Sequence, residues 1–369
     1  MDTMRDGKRQ IAKSLLLAVA SVLVTAAGLE ITFRLLAARS DEQALLAARR
    51  ATPPRPGSAV RLGHILRPSL DPRIVFELYP RMSVTFLGAP LVTDEHGFRI
   101  WPGSRVADKP QVRIVGLGDS VMFGWGVSAS ECYLTLLVDE LNRTRPEVGW
   151  GALNTAVPGY NTVMEVQTLR VKALDPRPDL VLLNFVGNDL RLPNFVLERR
   201  SYLSPRRSFL LDFLRSRLHP EGGDLSPRLA YLPRQERPTD AERVPPRLRD
   251  LVGPGAFHRA LDDLASLAAL HRFEVVVLAH PEAPAFVKAA AADRGFALVE
   301  TGVRVRELAM GRGLSGTWEP PLSLTAADPH PSALGHELIT RALLEALEDA
   351  GLPARLARAV TARAASAPP

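Results

Sequence analysis

One cysteine, Cys132, among 369 residues rules out an intrachain disulfide. It leaves the compartment open, because exported domains also fold without such bridges. Histidines, cysteines and carboxylates nowhere cluster at metal-ligand spacing, so neither a metal nor a cofactor is expected. Gly116 and Gly118 lack a third glycine at 121, where Val121 stands, and the dinucleotide fingerprint is therefore absent. No Gly-Lys-Ser/Thr follows, which excludes a P-loop. The G-x-S-x-G elbow is missing as well, since Ser120 lies between Gly118-Asp119 and Val121-Met122. Disorder on a large scale is excluded by 46% hydrophobic against 23% charged residues. The formal charge of +6 is spread along the chain, as on a solvated or membrane-facing surface. Basic residues alternate with aromatics at 199–213 but form no recognised nucleic-acid module, so no nucleic-acid partner is expected.

What is present begins with an apolar run. Residues 1–13 form an N-terminal tail carrying Arg5, Lys8, Arg9 and Lys13, and no charge follows from Ser14 to Leu29. Those sixteen residues make about 24 Å of helix, short of a hydrocarbon core of about 30 Å. Extension to Phe33 reaches twenty residues if Glu30 sits at the interface, paired with Arg34 one turn on. Apolar helical character continues to Leu36, so residues 14–36 are expected to form a single-pass signal anchor. A cleavable signal peptide is the alternative, because Val24-Thr25-Ala26 has small residues near a possible cleavage point. Arg39, Arg49 and Arg50 blunt the charge asymmetry. Orientation then rests on the short tail staying inside while the large domain is exported to the periplasm or cell exterior.

Residues 37–72 are expected to be a linker, with five prolines between 51 and 72. Residues 73–111 alternate apolar and polar positions, which suggests a small β-rich preface. Near its end Gly97-Phe98-Arg99 reads as a turn with a buried Phe. From 112 to 350 strand and helix patterns alternate, the signature of a parallel sheet with helices on both faces. Strands are expected at 112–117, 152–156, 180–186, 274–280 and 297–300. Helices are expected near 130–143, 161–174, 256–271, 284–294, 303–310 and 333–350. The class is α/β, a flavodoxin-like three-layer fold with a five-stranded parallel sheet. Residues 191–250 break the alternation and read as an insertion or cap just after a strand end, more readily a solvated loop than a membrane-proximal surface. Residues 351–369 are expected to be a flexible tail.

Within that frame Ser120 stands where a buried strand gives way to a helix, at the edge where open α/β sheets bind ligands. Taken alone, such a serine is more often a helix N-cap than a nucleophile. Three further blocks change the balance: Asn154-Thr155-Ala156-Val157-Pro158-Gly159-Tyr160, Gly187-Asn188-Asp189, and Asp328-Pro329-His330-Pro331-Ser332 with Gly335-His336 after it. With Gly118-Asp119-Ser120 in first place, the chain resembles the SGNH, or GDSL-type, family of esterases and lipases over about 112–350. Gly97-Phe98-Arg99 is similar to a segment that precedes the domain in membrane-anchored bacterial members. The resemblance implies Ser120 as nucleophile, His330 as base and Asp328 as the acid behind it. It also implies an oxyanion hole built from the Ser120 N–H, the Gly159 N–H and the Asn188 amide. The chain departs from the family at Val186, where a glycine usually stands, and at Asp328, two rather than three residues before His330. In an extended loop residues two apart share a side, about 6.5 Å between Cα atoms, so the hydrogen bond is feasible. If Asp328 turns away, a Ser–His dyad oriented by a backbone carbonyl remains.

The chemistry asks for these residue types independently of the family. A serine needs a base within hydrogen-bond reach, and histidine titrates in the right range to take and return the proton. Asp119 reads as a turn anchor, Cys132 as core and His336 as packed within the last helix. His280, ending the fourth strand, is either a substrate-binding residue lining the pocket or structural. The resemblance implies a serine hydrolase that cleaves an ester through an acyl-enzyme, with a short acyl group on envelope carbohydrate or lipid. An O-acyltransferase using the same residues and a non-catalytic envelope scaffold are the alternatives. Oligomeric state is not legible.

Overall fold

The computed structural model describes residues 2–101, 111–175, 177–197, 202–218 and 229–365. Two compact units divide the chain: Met1–Ala51 with Leu197–Leu229, and Thr52–Val196 with Ala230–Pro369.

The first unit is built on helix α1, Asp2–Arg50. Its apolar stretch is long enough to cross a membrane, a property that anchors and signal sequences share. The helix does not stop at Leu36. Residues 37–50 are rich in Ala, Leu, Arg, Glu and Gln, strong helix formers, so the expected linker begins as helix and loses regular structure only from Ala51. The Arg34–Glu30 pair forms as expected, Nε to Oε1 at 2.8 Å. Glu30 also accepts from Ser208 Oγ at 2.8 Å and from the N–H groups of Phe209 and Leu210, both at 3.0 Å. It thereby caps the helix Phe209–Leu218. The Arg34 guanidinium donates to the carbonyls of Tyr202, Ser204 and Arg207. Phe33 stacks on Phe213, and the Tyr202 hydroxyl meets Asp41. Described residues of this part of the insertion are thus helix and turn fastened to α1, not a solvated loop. Arg199 and Arg200 lie outside the described residues.

The second unit is organised by one nine-stranded sheet. Its strands in chain order are β1 Ala59–Val60, β2 Ser83–Phe86, β3 Ala89–Thr93, β4 Arg99–Ile100, β5 Val112–Leu117, β6 Trp150–Asn154, β7 Leu180–Phe185, β8 Glu274–Ala279 and β9 Ala297–Glu300. Their spatial order is β1-β2-β3-β4-β6-β5-β7-β8-β9. The five strands β6-β5-β7-β8-β9 are mutually parallel, with Ile114 opposite Leu180, Leu180 opposite Glu274 and Val276 opposite Ala297. Counted along the chain their order is 2-1-3-4-5, the doubly wound flavodoxin-like order. Every residue of β7 is buried, as a strand covered on both faces requires. Helices Tyr133–Thr144, Thr162–Thr168, Gly253–His271, Ala285–Ala292, Gly302–Gly311 and Ala333–Asp349 flank the sheet.

The preface is not a separate module. Strands β2 to β4 pair antiparallel and join the parallel core through Arg99 opposite Asn154. Part of the expected linker takes part as well: β1 lies parallel to β2, and Ile65 and Leu66 are buried. The expected flexible tail is also different. Leu352–Ala365 is a helix whose Leu352, Leu356 and Val360, four residues apart, are buried, and Arg363 pairs with Asp179.

Candidate active site

The chain of β5 leaves the sheet at Leu117, and Asp119 caps the short helix Ser120–Phe123 by accepting from Val121 N at 2.9 Å. Ser120 is therefore held at the carboxyl end of the first parallel strand, beside the point where strand order reverses. His330 and Asp328 arrive from the loop before Ala333–Asp349. That loop is tied by Leu324 N to His330 O at 2.9 Å, by Trp318 Nε1 to Pro329 O at 2.8 Å, and by the Ser332 cap on Gly335 N.

These elements bring the three side chains together. His330 Nε2 lies 2.8 Å from Ser120 Oγ, and Nδ1 lies 2.6 Å from Asp328 Oδ1. The two-residue spacing is accommodated because Asp328 Oδ1 also accepts the His330 backbone N–H at 3.2 Å, curling the carboxylate back onto the ring. Burial pushes the Asp328 carboxyl up, but hydrogen bonds from His330 and Trp125 outweigh it and hold the group below the ordinary carboxylate value. An anionic Asp328 favours the tautomer that carries a proton on Nδ1, leaving Nε2 to accept from Ser120.

Gly159 and Asn188 line the same cavity, of about 450 Å³, as Ser120 and His330. Gly159 sits at φ +89°, in the region that favours glycine. Among the described residues its N–H meets no acceptor. Asn188 donates from Nδ2 to Asp119 Oδ2 at 2.9 Å, which orients its amide beside Ser120. The turn carrying Asn188 is set by Asp189, whose Oδ2 accepts from Val186 N and Thr162 Oγ, both at 3.2 Å. Glu165 and Asp189 are buried near this turn; burial raises both well above ordinary carboxyl values, with repulsion from Asp189 and Asp119 adding at Glu165 and from Asp119 at Asp189. Val186 fills the family's glycine position as a buried residue and donates to Asp189 through its backbone, which any residue can do.

His280 is not among the residues lining the cavity. Its Nδ1 meets Thr301 Oγ1 at 2.6 Å and its ring packs edge-on against Trp318, while burial lowers its pKa to about 4. A neutral, packed histidine serves the structure there. His336 is likewise buried, against Tyr133, with its pKa lowered to about 3. Among the described residues no group of three or more His, Cys, Asp or Glu could hold a metal.

Two residues outside those blocks also bear on the site. Trp125 stacks on His330, ring centroids 5.2 Å apart at 24°, and donates Nε1–H to Asp328 Oδ2 at 3.1 Å. The only signal was its place between Gly124 and Gly126, both at positive φ in the turn after the nucleophile. Arg99 is the other. Buried at 5% exposure, it donates to Phe123 O at 2.6 Å, Gly124 O at 2.8 Å and Val127 O at 2.7 Å. It lies over the Phe123 ring and clamps the turn behind Ser120 and Trp125. Lysine cannot reproduce a fork of planar donors. Arg99→Lys is expected to cost about 2–3 kcal/mol, the scale of lost hydrogen bonds from a buried charge. Ester turnover should fall roughly tenfold through a displaced Trp125, with denaturant unfolding and kcat read on one preparation. Lost stability with kcat intact would confine the clamp to folding.

No protein-family model matches the chain, and no curated protein sequence does. In structure it is similar to TesA, at 15% identity, covering 64% of this chain and 98% of that one, TM-score 0.39. It is similar to Axe2, an acetylxylan esterase from Geobacillus stearothermophilus, at 14% identity, covering 66% and 96%, TM-score 0.38. A third similar structure is the acetyl xylan esterase AlAXEase, at 12% identity, covering 64% and 100%, TM-score 0.40.

Proposed function

We propose that the chain is a serine hydrolase of carboxylic esters, acting through an acyl-enzyme. The observation that carries this reading is the continuous hydrogen-bonded line from Ser120 Oγ through His330 to Asp328, 2.8 and 2.6 Å, opening on a solvent-reachable cavity. In this reading His330 takes the Ser120 proton as Oγ attacks the ester carbonyl, then returns it to the departing alcohol. Asp328 fixes the tautomer and stabilises the imidazolium. The N–H groups of Ser120 and Gly159, with the Asn188 amide, receive the oxyanion. Water activated by the same histidine then releases the acid.

A short-chain aryl ester tests it. The wild type should hydrolyse it and Ser120→Ala should not; equal turnover by both, across acyl lengths, would sink the reading and favour a scaffold. Transfer of the acyl group to a glycan hydroxyl in competition with water would identify an acyltransferase instead. Small acyl groups on envelope glycan or lipid are the substrates this reading favours.

We further propose that residues 14–36 anchor the chain in a membrane, with the unit from Thr52 exported. Exposed Leu15, Leu16, Val22 and Leu23 support it, since such side chains are costly in water. The full chain should sediment with membranes while a chain beginning at Thr52 stays in solution. Equal partitioning would overturn the anchor.

A further inference from the structure

Three guanidinium groups, Arg191, Arg234 and Arg237, line the cavity that holds Ser120 and His330, and among the described residues no aspartate or glutamate lines it with them. Arg191 follows Asn188 by one turn, while Arg234 and Arg237 come from the run Tyr231–Arg237 that returns to the same wall. This run is anchored by Leu232 N donating to Asn194 O at 2.8 Å. Among the described residues none of the three arginines makes an ion pair; Arg191 reaches only the backbone oxygen of Arg237, at 3.5 Å. Arg237 Nε is buried with no acceptor. Burial, with Arg191 and Arg234 as like-charged neighbours, lowers the Arg237 pKa from its ordinary value, against the Tyr231 phenol.

Several arginines elsewhere have a counter-charge. Arg67, Arg145, Arg294, Arg304 and Arg312 each face a carboxylate within 4.0 Å. Three cations gathered without a counter-charge repel one another, and a half-buried guanidinium with an orphan N–H lacks the partner that would offset its desolvation. An oxyanion meets both needs, since the planar fork of arginine matches phosphate and carboxylate oxygens.

We propose that the substrate carries an anionic group, a phosphate or a carboxylate, seated among Arg191, Arg234 and Arg237 while its ester lies at Ser120. This rests on the esterase reading above. It narrows the substrate from any acylated glycan or lipid to one bearing negative charge within the span of one cavity. The arginines recognise the part of the substrate that does not react, so they set specificity and leave the chemical steps unchanged.

The test compares matched esters on one enzyme. The pairs are acetylglycerol phosphate against acetylglycerol, O-acetylglucuronate against O-acetylglucose, and glycerol hemisuccinate against glycerol butyrate. The readout is the ratio of kcat/KM within each pair, which cancels any loss of folded protein in a variant. At low salt the ratio should exceed about tenfold in at least one pair, and the pair that responds identifies the anion and its side of the ester. It should fall in 0.5 M salt and collapse toward one in Arg234→Gln and Arg237→Gln. Arg259→Gln, which removes an exposed cation outside the cavity, should keep it. Ratios within twofold in every pair, with Ser120-dependent cleavage of the neutral esters, would overturn the anion site and leave the esterase standing. If no ester is cleaved, the esterase reading falls and the anion site falls with it.

Discussion

Asp328→Asn is expected to lower kcat about 10⁴-fold with little change in KM, the scale of losing the correct histidine tautomer. The two oxygens of Asp328 are both occupied by donors. Oδ1 takes the His330 ring and backbone N–H, and Oδ2 takes the Trp125 indole. An amide has only one oxygen. If it faces Trp125, its NH₂ points at Nδ1, which must then be the unprotonated nitrogen. Nε2 would carry the proton and could no longer accept from Ser120. If the oxygen faces His330 instead, the NH₂ meets the indole N–H, at about 1–3 kcal/mol for a donor left unpaired. The first orientation instead costs the His330 backbone N–H bond at 3.2 Å, so the choice turns on Trp125, and the disabled tautomer is populated wherever the indole holds the amide oxygen. Trp125→Phe removes the competing donor, so the Trp125→Phe/Asp328→Asn double variant should recover part of the lost turnover. Stopped assays on a short aryl ester read all three enzymes. A loss under tenfold in Asp328→Asn would mean that a backbone carbonyl orients His330 and the carboxylate does not.

That double dependence on Trp125 also marks the limit of what residue patterns could convey. The five parallel strands were legible as short apolar runs, most clearly at Leu180–Phe185, where every residue is buried. Ser120, Gly159, Asn188, His330 and Asp328 were legible because each sits beside a strand end or helix start in a recognisable block. The antiparallel extension of the sheet was not, because the pairing of Arg99 with Asn154 leaves no local pattern in either segment. Trp125, Arg99 and the three cavity arginines act through contacts distant in sequence, and an arginine alone looks like a solvated surface charge. His280 stayed open between lining the pocket and a structural role. It ends a strand at the correct sheet edge, yet packing against Thr301 and Trp318 turns it away from the cavity. The insertion divided in a way no composition announced: Ser208–Leu210 fasten to Glu30, while Arg234 and Arg237 line the cavity.

Gly159→Ala should be nearly as damaging as loss of the acid, by a different route. At φ +89° any L side chain costs about 1–2 kcal/mol in backbone strain. The added Cβ would also lie 1.9 Å from Asn194 Oδ1 and 2.2 Å from Asn194 Cγ, an overlap no relaxation of Cβ alone can remove. The Asn194 side chain is buried at 9% exposure and has little room to turn aside, and its backbone is held by the bond from Leu232 N to its carbonyl at 2.8 Å, which also fixes the segment bearing Arg234 and Arg237. The backbone at 159 must therefore rotate, and its N–H leaves the reacting oxygen. Removing one such donor typically lowers kcat about 10²–10³-fold. Asn194→Ala in the same chain deletes the overlapping atoms and leaves only the φ strain, so the double variant should regain about tenfold in kcat over Gly159→Ala. Thermal unfolding of both variants separates this local effect from a general loss of folded protein. Should Gly159→Ala fall by less than threefold, the Gly159 N–H does not hold the oxyanion, and Ser120 N–H with Asn188 would have to suffice.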